Sequence, residues 1–139
     1  MISRTLLSIA IGLFACSPAH AADLTITVTD IRSVQGSVAL SVVDSAAAWS
    51  GQAKAVKRQM QPIQGTEIVF RFTDLPPGDY AVSVMHDENG NGKLDSNFMG
   101  MPTEGYGFSN NPKVLRKPTF EEARFQLGAK GDAIAIRLR

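Results

Sequence analysis

Apolar residues recur at every second position in six separate stretches of this 139-residue chain, a spacing that no helix can use to build one buried face. Leu24-Ile26-Val28 alternates with Thr25, Thr27 and Thr29, and Val38-Leu40-Val42 repeats the rule. Ile68-Phe70-Phe72 runs against Val69 and Arg71, and Tyr80-Val82-Val84 follows. Ala123-Phe125-Leu127 and Ile134-Ile136-Leu138 complete the set, separated by a turn over 128–132. Successive strand side chains point to opposite faces, so this period marks strands buried on one side. Six such runs punctuated by turn residues predict an all-β domain, a single antiparallel β-sandwich of about seven strands.

Two segments do not alternate. Within 45–64, Ala46-Ala47-Ala48-Trp49 suits one helical turn and Val56 to Met60 suits an edge strand. Lys54, Lys57, Arg58 and Pro62 read there as protection of an exposed sheet edge. From Asp87 to Lys117 no strand or helix pattern is visible, although Phe98, Met99, Met101, Tyr106 and Phe108 make the stretch too apolar for simple disorder. Loops this long in small domains are functional or disordered, so an ordered cap folded back on the sandwich is expected.

The N-terminus reads as an export signal. Arg4 gives the positive start, Leu6 to Ala15 form a short apolar run, and Ala19-His20-Ala21 is a small-residue cleavage site. The expected organisation is a signal peptide over 1–21 and a β-sandwich over 22–139, with a periplasmic or secreted location and no membrane-spanning segment in the mature chain. Lipidation at Cys16 is the rival reading, though the bulky Phe14 fits a lipoprotein box poorly. Cys16 is the only cysteine, so the mature chain has no disulfide, thiolate metal site or cysteine nucleophile. Of 14 basic and 13 acidic residues only Arg4 leaves with the signal, and the balance that remains argues against nucleic acid as a partner.

The chemistry concentrates in Asp87-Glu-Asn-Gly-Asn-Gly-Lys-Leu-Asp95. Asp87, Asn89, Asn91 and Asp95 fall where positions 1, 3, 5 and 9 of a calcium loop give side-chain oxygens, Lys93 would give its carbonyl, and Gly92 takes the sharp sixth-position turn. Phe98 stands where a helix–loop–helix site has its bidentate glutamate, so the closing carboxylate would come from elsewhere, with Glu104 the candidate. The same residues also fit two consecutive Asn-Gly turns. His86 is too isolated to make a zinc site, which wants three or four nitrogen or sulfur ligands. Ser109 with His86 and Asp87 or Glu104 can be cast as a hydrolase set, but no framing motif accompanies them, and a non-enzymatic module is expected. Tyr106, Phe108 and Trp49 are the candidate surface for stacking a saccharide or a peptide, and the glycines flanking Tyr106 would let a ligand approach.

The run Leu75-Pro-Pro-Gly-Asp-Tyr-Ala-Val-Ser-Val84 resembles the Leu-x-Pro-Gly-x-Tyr-x-Val turn and strand of transthyretin-like and collagen-binding B-type sandwiches. Together with His86 to Asp95 and Gly100 to Asn111, it resembles a bacterial family, domain of unknown function 2141. That resemblance implies a small exported transthyretin-like or immunoglobulin-like sandwich and assigns it no biochemical role. Asp87, Asn89, Asn91, Gly92 and Asp95 are also similar to the strand-end loop of calcium-binding B-repeats in surface adhesins, where the ion stiffens the module. Tandem repetition and a sorting signal are absent here. The implied role is an ion-stiffened module presenting the 87–111 cap to a protein or saccharide partner.

Overall fold

The computed structural model describes residues 20–139; Cys16 and the apolar run of the expected export signal lie outside them. Eight strands and two single-turn helices follow one another: β1 (Ala22–Thr29), β2 (Ser37–Val43), α1 (Ala46–Trp49), β3 (Lys57–Pro62), β4 (Ile68–Leu75), β5 (Gly78–Asp87), β6 (Tyr106–Phe108), α2 (Phe120–Ala123), β7 (Phe125–Leu127) and β8 (Asp132–Arg137). One sheet has the order β4-β1-β8 and the other β3-β2-β5-β6, with β7 pairing the start of β5. The all-β sandwich read from the alternation is therefore the fold. One pair departs from the antiparallel rule, because β8 runs parallel to β1 with Ile26 beside Ile134 and Val28 beside Ile136.

The inward positions of both sheets form one core. Leu24, Ile26 and Val28 of β1, Phe70 and Phe72 of β4 and Ile136 of β8 face Val38, Leu40 and Val42 of β2 and Tyr80, Val82 and Val84 of β5. The chain crosses between sheets at the Leu75-Pro76-Pro77-Gly78 corner. Tyr80 pins that corner by donating its hydroxyl to the Pro76 carbonyl at 2.6 Å, the geometry of a tyrosine corner.

The sandwich is closed along one side. Tyr106 donates its N–H to the Arg139 carbonyl at 3.1 Å and accepts from the Arg139 N–H at 2.9 Å. Such closeness needs Gly107, where an added Cβ would stand 2.7 Å from the Arg137 carbonyl oxygen and 2.8 Å from Ile136 Cγ2. This glycine serves strand packing, a correction to the expectation that it admits a ligand.

The two outer faces are built differently. On the β4-β1-β8 sheet, Thr25 sits between Arg71 and Ala133, and Thr29 lies beside Arg137. On the other sheet, Met60, Ala39, Met85 and Tyr106 form one row across four strands, and Arg58, Ser41, Ser83 and Phe108 form the next. One end of this second face is roofed by a satellite cluster in which Val43 and Ala81 meet Ala48, Trp49, Phe120 and Ala123. Ser45 caps α1 through its Oγ, which accepts the Ala48 N–H at 3.2 Å. Thr119 and Glu122 make a reciprocal capping box on α2. That box converts the first part of the expected 123–127 strand into a helical turn.

Candidate functional site

β5 carries its alternation straight into the acidic loop. Asp87 ends the strand buried, and its two carboxylate oxygens accept the N–H groups of Asn91 at 3.1 Å and Gly92 at 2.8 Å. Gly92 has φ of 75°, the left-handed turn expected at the sixth position. Asn89 and Asn91 direct their amide nitrogens to Asp95 at 2.5 to 2.9 Å, while their Oδ1 atoms accept the N–H groups of Asn91 and Lys93 at 3.1 and 3.0 Å. Glu104, nine residues beyond Asp95, reaches the loop, though through backbone N–H groups. It is buried, and its oxygens accept the Glu88 and Asp95 N–H groups at 3.0 Å each. The loop thus closes on itself through carboxylates and backbone donors.

Beyond it, Asp95 accepts the Thr103 N–H at 2.8 Å, and residues 96–102 fold back as a short hairpin with Phe98 fully exposed at its tip. Arg32 was not visible as a site residue, yet it fastens the loop from below. Its Nε donates to Glu88 at 2.7 Å, and its other arm reaches the Thr103 carbonyl.

The hard-cation donor set fits in type. Side-chain oxygens of Asp87, Asn89, Asn91 and Asp95 share one small loop, but those of Asp87, Asn89 and Asn91 accept backbone N–H groups and the two amide nitrogens face Asp95. Inverting either amide would turn its oxygen toward Asp95 only by setting its NH2 against the Asn91 or Lys93 N–H, so holding an ion would require the loop to rearrange. The charge available is modest, since among the described residues no group of three His, Cys, Asp or Glu side chains is placed to hold a metal.

The hydrolase arrangement is not assembled. Ser109 is fully buried, with its Oγ donating to the Ala123 carbonyl at 2.5 Å and accepting the Val82 N–H at 2.8 Å. His86 lies four residues further along β5, about 13 Å away at the usual strand rise. It is buried too, with Nε2 on the Gln35 carbonyl at 2.8 Å and Nδ1 without a hydrogen-bond partner, 3.8 Å from Glu88. Neither group opens on a cleft with the other.

The aromatic residues do come together. Trp49 and Phe108 meet edge to face at 5.8 Å, and Tyr106 and Phe108 at 5.9 Å. All three line an open cleft of about 1030 Å³ over the outer face of the β3-β2-β5-β6 sheet. Its floor holds Ala39, Ser41, Ser83 and Met85, and Leu94, Gly100 and Pro102 of the loop form one wall. The opposite wall is α1 stapled to 115–118: Trp49 Nε1 donates to the Pro118 carbonyl, Lys117 Nζ donates to the Trp49 carbonyl, both at 2.8 Å, and Lys117 lies 4.8 Å over the indole ring. Arg116 is held by Glu122, whose carboxyl this hydrogen-bonded pairing pushes down to about 2.

Sequence reasoning missed the floor. Its signal was present in Ala39-Ser41-Val43 and Ala81-Ser83-Met85, whose small and apolar side chains stand where a solvated face would carry polar ones.

Fold and site together define a small β-sandwich with a ligand-sized cleft on one outer face, walled partly by an acidic loop. The chain belongs to the family described as uncharacterized protein conserved in bacteria, DUF2141, whose model matches residues 26–135. No curated protein and no solved structure matches it. Among the described residues no helix is long and apolar enough to cross a membrane.

Proposed function

We propose that this protein is an exported, non-enzymatic binding module that takes a small ligand in the cleft over Ala39, Ser41, Ser83 and Met85. The observation that carries this reading is the convergence of Trp49, Tyr106 and Phe108 on one cleft of about 1030 Å³. Binding pockets are concave, largely apolar and of about this size, with a few placed polar groups. The aromatic surface expected from the sequence thus gains a floor and two walls.

The acidic loop acts in support. Calcium held by Asp87, Asn89, Asn91 and Asp95, with the Lys93 carbonyl, would stiffen the wall that carries Leu94, Gly100 and Pro102. Glu104 and Asp87 each accept two backbone N–H groups, so both clasp the loop from within, and an ion would share the Asp87 oxygens with those donors. With two loop carboxylates, affinity belongs at the weak extracellular end, about 10⁻⁴ to 10⁻³ M.

The test uses Trp49, the only tryptophan, as its reporter. Titration with the neutral dye N-phenyl-1-naphthylamine should quench Trp49 and brighten the dye saturably at one site. Met85→Lys, which puts a charge on the floor, should abolish both signals. Unchanged tryptophan emission in the wild type, or identical titrations for the variant, would remove the cleft as the binding site.

A further inference from the structure

The cleft's polar groups are few, and they are adjacent. Pairing register sets Arg58, Ser41 and Ser83 side by side on β3, β2 and β5, with Phe108 next on β6. Neighbouring strands lie about 4.8 Å apart, so two hydroxyls at that spacing can both reach one carboxylate while the long Arg58 side chain leans in from the edge. Of the three cations lining the cleft, Arg116 is paired with Glu122, while Lys117 keeps its charge but is held in place by the Trp49 carbonyl and ring. Arg58 has no ion-pair partner among the described residues. Among the described residues no Asp or Glu lines the cleft. Charge complementarity therefore calls for one negative group at this strip.

Everything around the strip is apolar. Met60, Met85, Tyr106 and Phe108 flank it, and Leu115 lines the cleft with its side chain 99% exposed. A polyhydroxylated sugar would bring many donors to a lining that offers a single side-chain amide, Gln59, and no carboxylate. A phosphate dianion is best held by several forked guanidinium contacts, and Arg58 is the one unpaired guanidinium lining the cleft among the described residues. The floor is also bounded along the strands, by Trp49 over Ala81 at one end and by the acidic loop beyond Asp87 at the other. That span is roughly 20 Å at the usual strand rise, which suits a small molecule better than a continuing chain.

On these grounds, and resting on the cleft being a binding site, we infer that its ligand is a small carboxylate with an apolar body. The head sits on Arg58, Ser41 and Ser83, and the body lies over Met85, Tyr106, Phe108 and Trp49. The reading of Arg58 as an edge-protecting charge is thereby extended: β3 is the sheet edge, and this residue faces the cleft from it.

Calorimetric titration of the full chain with 2-naphthoate and with its neutral amide, 2-naphthamide, separates the two levels of the argument. Both probes should bind, the carboxylate about tenfold tighter, as a charge-assisted contact implies. Arg58→Gln should bring the carboxylate's affinity down toward the amide's, with a much smaller change for the amide, and Arg58→Lys should keep part of the preference. Raising the salt should narrow the gap, because the guanidinium is exposed. Equal affinities in the wild type, or an Arg58→Gln variant that weakens both probes alike, would overturn the anion site and leave the cleft standing. If neither probe binds, the cleft itself is refuted as a ligand site, and the head-group assignment with it.

Discussion

The two outer faces of this sandwich differ in strand pairing and in surface chemistry. Over the β4-β1-β8 sheet, with its one parallel pair, Thr25, Thr27 and Thr29 stand among Arg71, Val69, Ala133, Ala135 and Arg137, a mixed face with a central row of threonines. Over the β3-β2-β5-β6 sheet, Ala39, Ser41, Ser83 and Met85 leave a floor too small to fill the space above it and too apolar to be well solvated. Since both faces back the same core, that core explains neither of them. On the proposed reading a ligand lies over this second face, and α1, the 115–118 segment and the 94–102 loop wall the cleft.

Mutations measure how separate those faces are from the core. Phe70→Ala, between the sheets, should cost about 3–5 kcal/mol in urea unfolding, the range for emptying a packed aromatic site. Met85→Ala, half-buried on the cleft floor, should cost about 1 kcal/mol or less. Comparable losses at the two positions would mean that the cleft floor belongs to the structural core.

Calcium tests whether the cleft side depends on its wall. At 10 mM, a site of 10⁻⁴ to 10⁻³ M affinity should stabilise the native state by about 1.4–2.7 kcal/mol through mass action. The thermal midpoint should rise by several degrees, and Asp87→Ala combined with Asp95→Ala should remove the increment. Identical midpoints in calcium and in chelator would leave the loop as a pair of turns.

A direct exchange of chemistry is subtler. Thr27→Lys and Met85→Lys, both at half-buried positions, should each cost no more than about 1 kcal/mol. Only the second should block dye uptake, and loss of uptake in both would dissolve the distinction between the faces.

The smallest effect concerns Glu122. Its carboxyl lies at about 2 against an ordinary 4.5, held down first by the Arg116 hydrogen bond and then by the Thr119 N–H. A depressed folded value contributes stability above the unfolded value and loses it as pH falls through the folded one. The stability gap between wild type and Glu122→Gln should therefore be constant above pH 5 and close by about pH 2.

Much of this architecture was legible because a buried strand face writes itself into the sequence at period two. Leu24, Val38, Phe70, Tyr80 and Ile136 are all core positions on that rule alone. The α1 turn and the edge character of β3 also follow from local chemistry. What escaped was of longer range. β6 is three residues flanked by glycine and serine, so its strand identity comes from β5 and the Arg139 seam and not from its own pattern. The cleft escaped because outward residues were read as filler between inward ones, although Ala39 and Met85 differ from Thr25 and Arg71 in kind. Arg32 carries no local signal, since its partners Glu88 and Thr103 are brought to it by the fold.

The parallel pairing of β1 with β8 has a kinetic side. Leu24 lies beside Asp132, so the central strand of its sheet gains its second neighbour only from the last part of the chain. Contacts of such sequence separation form late and slowly, because the intervening loop must be closed before any pairing rewards it. A chain emerging from the ribosome therefore cannot complete this sheet early, and until Asp132–Arg137 are free β1 presents an unpaired edge. For a protein expected to be threaded through a membrane before it folds, that delay keeps the polypeptide pliable. It also makes the newly released chain, more than the finished sandwich, the form most exposed to proteases and to misplaced strand pairing.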